Sequence, residues 1–405
     1  MIAVTITSAL HFDVRPPMTE KLIYLDHGAS TPVDPRVLAA MLPYWTEIYG
    51  NPSSAHSYGR SAATAMEEAR ATIAGLIHAQ PDEIVFTGCG SESDNIALRG
   101  VMHAAGTGRH LIVSAIEHSA VLQTAVQLRD HFGFDLTILP VDENGQIRMD
   151  DLAAAIRPNT ALISIMAANN EIGSFQPIAE IGALARAHGV LFHTDAIQAS
   201  AVRRWDMHQE PIDLLSMAPH KFYGPKGIGI LYVRQGIELV SPLTGGGQED
   251  GRRAGTSNVA YAVGAAAALE LVNEELEERT AHYRALSNRL IDGLLTAFPE
   301  NCRLTGHPTD RLSHNASFAF RHLSGNDLLM HLDMAGIAAS SGSACKTGNP
   351  KPAATLQAIG LDESWTKGGL RLTVGTQTTP EDVDYTLEQL QAIVPKLQKL
   401  AAMLA

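Results

Sequence analysis

The chain has few cysteines, and it lacks a hydrophobic run long enough to cross a membrane. Its three cysteines, Cys89, Cys302 and Cys345, are odd in number and widely spaced. This spacing argues against a disulfide framework and favours a reducing compartment, so the cytoplasm is the expected location. No run approaches the roughly 20 apolar residues of a membrane span, and residues 1–10 lack the basic start of a secretion signal.

The chain also has fewer basic than acidic residues. Lysine and arginine total 30 against 43 acidic residues, which gives a formal net charge of −13. Such a balance opposes sequence-independent binding to nucleic acid or to an anionic membrane. The 17 histidines form no His-Glu-x-x-His motif and the cysteines form no Cys-x-x-Cys pair, so no resident metal is predicted.

What the chain does have is an alternation of short apolar runs with amphipathic segments. Its 405 residues are enough for about two domains. The apolar runs lie at 84–86, 111–113, 136–139, 161–165, 190–192, 212–215 and 228–233, and helical patterns include 67–77, 121–131 and 178–188. This alternation predicts an α/β fold with a mostly parallel sheet, in which ligands bind at the strand ends.

The pattern changes after Ala260. A long helix is predicted at 261–297, followed by a mixed segment and a final helix at 380–404. This change indicates a second, smaller domain.

Two of the predicted strand ends carry residues suited to an aromatic phosphate ligand. The turn at 87–95 could hold a phosphate through its backbone N–H groups and the Ser91 hydroxyl, although Ser91 could instead cap the following helix. His118 could stack on an aromatic ring or move protons, and a capping role is the alternative.

Two further strand ends carry a carboxylate and an amine. Asp195 follows an apolar run, where a carboxylate needs a cation or several donors, although it could also cap the next helix. Lys221 is placed to form a covalent link with a carbonyl group, whereas Lys226 has the setting of a surface lysine. Together with the phosphate turn and His118, these residues describe a pyridoxal phosphate site in which Asp195 keeps the ring nitrogen protonated.

Cys345 is the candidate nucleophile. It lies in the small, polar and glycine-rich segment 340–348, where burial would gain a cysteine little, and Lys346 favours its thiolate. The alternative is an ordinary core cysteine.

From about Tyr24 to Ala392 the chain resembles the cysteine desulfurases, a group of fold type I pyridoxal phosphate enzymes among the class V aminotransferases. The motifs that carry the resemblance are at 24–32, 50–54, 92–95, 169–173, 220–227, 245–249 and 340–345. The last of them is similar to the long-loop branch that serves nitrogen fixation and iron–sulfur assembly. The resemblance implies a large domain with a seven-stranded sheet at 31–275, a small α+β domain with the cysteine loop at 276–405, and an N-terminal arm at 1–30 associated with the small domain.

The resemblance also implies roles for individual residues. Lys221 would bond to the cofactor, Asp195 would pair with its ring nitrogen, His118 would stack on the ring, and Arg371 would bind the substrate carboxylate with help from Asn170. The remaining implied cofactor contacts are Asn170 and Gln198 near the phenolic oxygen, and Gly90, Ser91, His220 and Thr256 at the phosphate. Because Thr256 reaches in from the other subunit in this family, a homodimer is implied.

The implied reaction converts L-cysteine to L-alanine and leaves a persulfide on Cys345 for an acceptor such as an iron–sulfur scaffold protein. A selenocysteine lyase or another class V aminotransferase or lyase, which need not require Cys345, is the nearest alternative. A catalytically silent relative that acts as a binding subunit is the other.

The chain departs from the family pattern at several positions. Ala218 replaces a hydroxyl residue, Pro219 replaces a small one, and the first phosphate turn reads Gly-Cys-Gly-Ser. One phosphate hydrogen bond of the family is therefore unaccounted for. Cys89 is expected to be a packing residue, and Cys302 a core thiol of the small domain.

Overall fold

The computed structural model describes residues 22–341 and 353–404, so Cys345 and its neighbours lie outside the described residues. The strands are β1 (Ile23–Tyr24), β2 (Ile84–Thr87), β3 (His110–Ser114), β4 (Asp135–Leu139), β5 (Thr160–Ser164), β6 (Leu191–Asp195), β7 (Leu214–Met217), β8 (Gly229–Val233), β9 (Cys302–Leu304), β10 (Asn315–Phe320), β11 (Ile337–Ala338) and β12 (Gly369–Thr373). The helices are α1 (Pro35–Met41), α2 (Pro43–Thr46), α3 (Ser57–Leu76), α4 (Gly90–Ala104), α5 (Ser119–Phe132), α6 (Met149–Ala155), α7 (Ile178–Ala187), α8 (Val259–Glu274), α9 (Leu276–Ala297), α10 (Gly325–Met334), α11 (Ala354–Ala358), α12 (Glu363–Thr366) and α13 (Pro380–Leu404).

The large sheet has seven strands in the order β2-β8-β7-β6-β5-β3-β4. Strand β8 runs antiparallel to both of its neighbours, and the other six strands are parallel to one another. The predicted α/β fold with a mostly parallel sheet is thus confirmed. Because the parallel strands share a direction, the turns after β2, β3, β5, β6 and β7 all meet at one edge, where a ligand site is expected.

A smaller antiparallel sheet, in the order β12-β10-β9, lies in the C-terminal part of the chain. Its buried side chains form a core of their own with α9, α10 and α13, and Cys302 lies inside it as expected. Strand β1 pairs in parallel with β11 of this part. The boundaries 1–30, 31–275 and 276–405 stay a prediction. The core around the small sheet supports it, and that core includes Ile23 and Leu25 of the N-terminal arm, whereas the core of the large sheet also takes in Leu356 and Trp365.

One predicted helix is in fact two. The expected helix at 261–297 is broken at Glu275, whose backbone leaves the helical region at φ −100° and ψ 11°. Its carboxylate accepts hydrogen bonds from Arg36 and Arg279, at 2.6 Å each. Helix α8 packs on α1 and α3 of the large part, whereas α9 packs on β9, β10 and α13. Local sequence pattern could not reveal this change of packing partner.

None of the helices in the described ranges combines the length and the apolar character that a bilayer crossing requires.

Candidate active site

Lys221 lies in the 3₁₀ turn that follows β7. Its Nζ donates hydrogen bonds to the backbone oxygens of Gly28, at 2.9 Å, and Ala29, at 2.7 Å. Burial and the nearby Arg371 guanidinium lower the pKa of Lys221 to about 8, although Asp195 opposes the shift. Lowering the pKa makes the uncharged amine, which a nucleophilic lysine needs, far more abundant at neutral pH than in an ordinary lysine, although most of the amine still carries its proton at pH 7.

Gln198 lies beside this lysine. Its Nε2 donates to the backbone oxygen of Gly28 at 2.8 Å, so Gln198 and Lys221 share one acceptor. By contrast, Lys226 is exposed, as its sequence setting predicts.

Asp195 is the last residue of β6 and is buried. Its Oδ1 accepts a hydrogen bond from the backbone N–H of Ile197 at 2.9 Å, which stabilises the following turn. The N-cap of the next helical turn is Gln198, so the interpretation of Asp195 as that cap is wrong. Burial raises the pKa of Asp195, while the backbone N–H of Ile197 and the charges of His118 and Lys221 oppose the rise. The turn contact of Asp195 is compatible with a place in the site.

His118 caps α5 by accepting a hydrogen bond from the Ala120 N–H at 3.1 Å. Its ring is nevertheless exposed and close to two acids. One ligand atom from each of Asp94, His118 and Asp195 lies within 4.8 Å of the others. The structure therefore brings His118 and Asp195 together, along with Asp94, which the sequence reasoning did not single out.

The turn after β2 leaves the N-terminus of α4 without a side-chain cap, because Cys89 occupies the N-cap position. The interpretation of Ser91 as that cap is therefore wrong, and its hydroxyl is exposed. A Cβ atom at Gly90 would lie 2.3 Å from Ile197 Cδ1 and 3.2 Å from Ala218 Cβ, so a larger residue here would have to displace the Ile197 side chain. Uncapped N–H groups at the start of a 15-residue helix are suited to an anion.

Cys89 is exposed rather than packed, so its assignment as a packing residue is corrected. The strand ends at Thr87, and the backbone at Cys89 is extended as the chain turns into α4, which leaves the side chain outside the core.

His220 precedes Lys221 and lies beside Ser30 of the N-terminal segment. Its Nδ1 is 3.3 Å from the Ser30 hydroxyl. Burial and the charges of Lys221 and Lys226 lower the pKa of His220 to about 4, so its ring is neutral at physiological pH. A neutral ring can offer one N–H to a phosphate.

Arg371, on β12, joins the small sheet to the site. Its Nη2 forms an ion pair with Asp26 Oδ1 at 2.8 Å, and its Nη1 donates to the backbone oxygen of Asn170 at 2.7 Å. Its Nε has no hydrogen-bond partner among the described residues. This role of Asp26 was not predicted from the sequence, although its motif at 24–32 carries part of the resemblance.

Ser340, five residues before Cys345 in the sequence, pairs with this arginine. The backbones of Ser340 and Arg371 exchange two hydrogen bonds, at 3.1 Å and 2.6 Å.

Thr256 lies apart from these residues, in the exposed loop before α8. It lines a cavity of about 340 Å³ with Tyr49 and Asn258. The loop is fastened at Glu249, which accepts hydrogen bonds from Arg70 at 2.7 Å and from the Phe86 N–H at 2.9 Å. Losing one partner of such a buried ion pair typically costs about 3–5 kcal/mol, because it leaves the other charge buried and unpaired.

The comparisons with known proteins agree on one family. The profile described as "Aminotransferase class-V" matches residues 23–386. A protein named cysteine desulfurase IscS from Methanosarcina thermophila is 46% identical over 382 residues, which span 94% of each chain. A solved structure titled "NIFS-LIKE PROTEIN" superposes with a TM-score of 0.87 at 35% identity, covering 93% of this chain and all of its own. Another, titled "SspA in complex with cysteine", has a TM-score of 0.76 at 36% identity, covering 88% of this chain and all of its own.

Proposed function

The chain belongs to the class V aminotransferase family, and from this premise we propose that it is a pyridoxal phosphate-dependent cysteine desulfurase. The observation that carries the proposal is the convergence of Lys221, Asp195 and His118 at the strand ends of the large sheet. The names of the relatives support this function over a selenocysteine lyase or an aminotransferase.

The residues at the strand ends fit pyridoxal phosphate. A buried acid is available for the ring nitrogen at Asp195, and an amine with a lowered pKa is available for the aldehyde at Lys221. The uncapped start of α4 suits the phosphate, with the Ser91 hydroxyl and the neutral His220 ring nearby. Gln198 is held beside Lys221, where the phenolic oxygen is expected.

Bound pyridoxal phosphate supplies an electron sink for the negative charge that develops at the substrate α-carbon. Lys221 removes the α-proton, and His118 relays protons. Asp195 keeps the ring nitrogen protonated. Arg371 binds the substrate carboxylate together with Asn170.

Cys345 completes the reaction as the nucleophile. Its thiolate attacks the substrate sulfur, so that the carbon–sulfur bond breaks and a sulfur–sulfur bond forms. L-Cysteine and the enzyme thiol thereby give L-alanine and an enzyme persulfide. The solved relative titled as a complex with cysteine supports this choice of substrate.

A direct test is to mix the purified protein and pyridoxal phosphate with L-cysteine and a thiol reductant, and to measure both products. Alanine and sulfide are expected in equal amounts. Pyruvate or sulfide without alanine would point to a different lyase, and the absence of both products would reject the proposal.

The proposed assembly is a homodimer, and an exposed apolar surface supports it. Leu38, Leu42, Trp45, Tyr49 and Tyr58 on and between α1, α2 and α3 are each about half exposed. We call these five residues the aromatic patch. Exposed apolar patches of this kind mark interaction sites, and Tyr49 also lines the cavity that Thr256 borders. A second copy seated here would cover the cavity that Thr256 borders, in keeping with the contact to the other subunit's phosphate that the resemblance implies.

Introducing charge into the aromatic patch is expected to separate the subunits. In size-exclusion chromatography with light scattering, the parent should have twice the chain mass of 43.3 kDa. Leu42→Glu together with Tyr49→Glu should give a monomer, because burying two carboxylates in an apolar contact is costly. The monomer should also bind pyridoxal phosphate at least about tenfold more weakly, since Thr256 of the second copy is lost.

The matched control is Met330→Glu, which adds a charge at an apolar side chain that is 62% exposed on the small domain. It should remain dimeric. A monomeric parent, or a dimer that survives both charges, would contradict this assembly.

Capture of the cofactor should depend on pH through Lys221. Only the uncharged amine attacks an aldehyde, and the pKa of Lys221 is lowered to about 8. The rate at which cofactor-free protein captures pyridoxal phosphate, followed by stopped-flow absorbance, should therefore rise with pH and level off above about 8. An unperturbed lysine would keep rising towards about pH 10.4. Lys226→Ala, which removes an exposed amine, should leave the profile unchanged.

The sulfur acceptor is proposed to be a protein, such as an iron–sulfur scaffold. The proposed location is the cytoplasm, which fits the free thiols of Cys89 and Cys302.

A further inference from the structure

Three buried acids lie around the strand ends of the site, and the proposed mechanism uses only one of them. Asp94 on α4, Glu117 before α5 and Asp195 at the end of β6 are all removed from solvent. A buried carboxylate is costly unless cations or several hydrogen-bond donors face it. The surroundings of each acid therefore decide which of them is charged.

Asp195 has the surroundings of a charged group. The Ile197 N–H donates to it at 2.9 Å. His118 and Lys221 also lie close enough to stabilise its negative charge.

Asp94 has the opposite surroundings. Its side chain is 0% exposed, and neither carboxylate oxygen has a hydrogen-bond partner at normal geometry among the described residues. The Nε2 atom of His193 lies 3.7 Å away and is 3.1 Å from the Ser216 hydroxyl. Burial lowers the pKa of His193 to about 3, so this ring brings no positive charge. Burial and the negative charge of Asp195 raise the pKa of Asp94 well above its ordinary value, although the Ser216 hydroxyl opposes the rise.

Glu117 belongs to a separate hydrogen-bonded group. It accepts hydrogen bonds from the Ser114 hydroxyl at 2.5 Å and the Met166 N–H at 3.1 Å. Burial raises its pKa to about 8, so it is mostly protonated at neutral pH and does not compete with Asp195 for charge.

We propose that Asp94 is a positioning residue of the cofactor site, which keeps a proton so that the Asp94–Asp195 pair carries one negative charge, located on Asp195. The carboxyl groups of the pair have oxygens within 4.8 Å of each other, and both are buried. Two buried carboxyls at such a distance do not both ionise, and their different surroundings decide which one does. Asp195 then presents a full charge to the ring nitrogen, so the inference rests on the proposed function.

Asp94→Asn and Asp94→Ala test this assignment in the purified protein with pyridoxal phosphate. Asparagine has the shape of a protonated aspartic acid and no charge, so the pH midpoint of the bound cofactor's absorbance should move by less than about 0.3 unit, and the affinity for pyridoxal phosphate should change less than about threefold. Alanine removes the neutral neighbour of Asp195 and should weaken that affinity about tenfold or more, as losing an outer partner does at other sites. An infrared difference spectrum, parent minus Asp94→Asn, should contain the band of a protonated carboxylic acid at neutral pH.

Three outcomes would overturn the assignment. A shift of more than about one unit in Asp94→Asn would mean that a charge had been removed. A missing acid band would likewise mean that Asp94 is charged in the parent protein. An unchanged cofactor affinity in Asp94→Ala would mean that Asp94 does not position the cofactor site. Asp94→Ser takes the place of alanine in the affinity measurement if Asp94→Ala does not fold.

The failure of the proposed function would look different. The unmodified protein would then have no cofactor absorbance at all, whereas the infrared band reports the proton on Asp94 whether or not the cofactor binds.

Discussion

Replacing Lys221 with alanine is expected to abolish turnover of L-cysteine. The variant loses the amine that bonds to the cofactor and the base that removes the α-proton. Loss of a positioned acid–base group alone typically costs roughly 10²–10⁴-fold in rate, and losing the covalent link adds to this. The measurement is the rate of alanine formation at saturating L-cysteine, together with the visible spectrum of the dialysed protein.

The matched control is Lys226→Ala, which removes an exposed amine five residues further along the same turn region. It should turn over L-cysteine at close to the parental rate and keep its colour. A Lys221→Ala protein that retains more than about a tenth of parental activity would show that another group performs the proton transfer.

Replacing Cys345 with serine is the second change with a large expected effect. Sulfur transfer should fall by roughly 10²-fold or more, because a serine hydroxyl is a far weaker nucleophile than a thiolate. The cofactor should remain bound, with an affinity within about twofold of the parent, because Lys221 and Asp195 are unchanged.

Persulfide formation is measured by mass spectrometry after addition of L-cysteine, and the extra sulfur should be found on Cys345. Cys302→Ala is the control, since burial raises the pKa of the Cys302 thiol to about 12 and keeps it unreactive. An added sulfur on Cys89, or undiminished sulfide release by the serine variant, would show that Cys345 is not the acceptor.

The residues of the site that lie at strand ends could be predicted from the sequence. Asp195 and Lys221 each follow a buried strand, and parallel strands deliver such residues to one edge, so their meeting follows from local pattern and topology alone. His118 was predicted either to face a ligand or to cap a helix. The structure has it capping α5 beside Asp195.

Other features depend on contacts between distant parts of the chain. The break at Glu275 coincides with a contact to Arg36, 239 residues earlier, and with a change of packing partner between α8 and α9. The pairing of Asp26 with Arg371 spans 345 residues. The lack of hydrogen-bond partners at the Asp94 carboxyl among the described residues could be predicted only with the knowledge that α4 packs against β6 and β7. Periodicity and local propensity carry no information on such contacts.

The covalent link at Lys221 is the central claim, and one measurement tests it most directly. The purified protein is saturated with pyridoxal phosphate, treated with borohydride, digested and analysed by peptide mass spectrometry. The account predicts a single reduced pyridoxyl adduct, located on Lys221. An adduct on Lys226 or another lysine, or no adduct at all, would contradict the account.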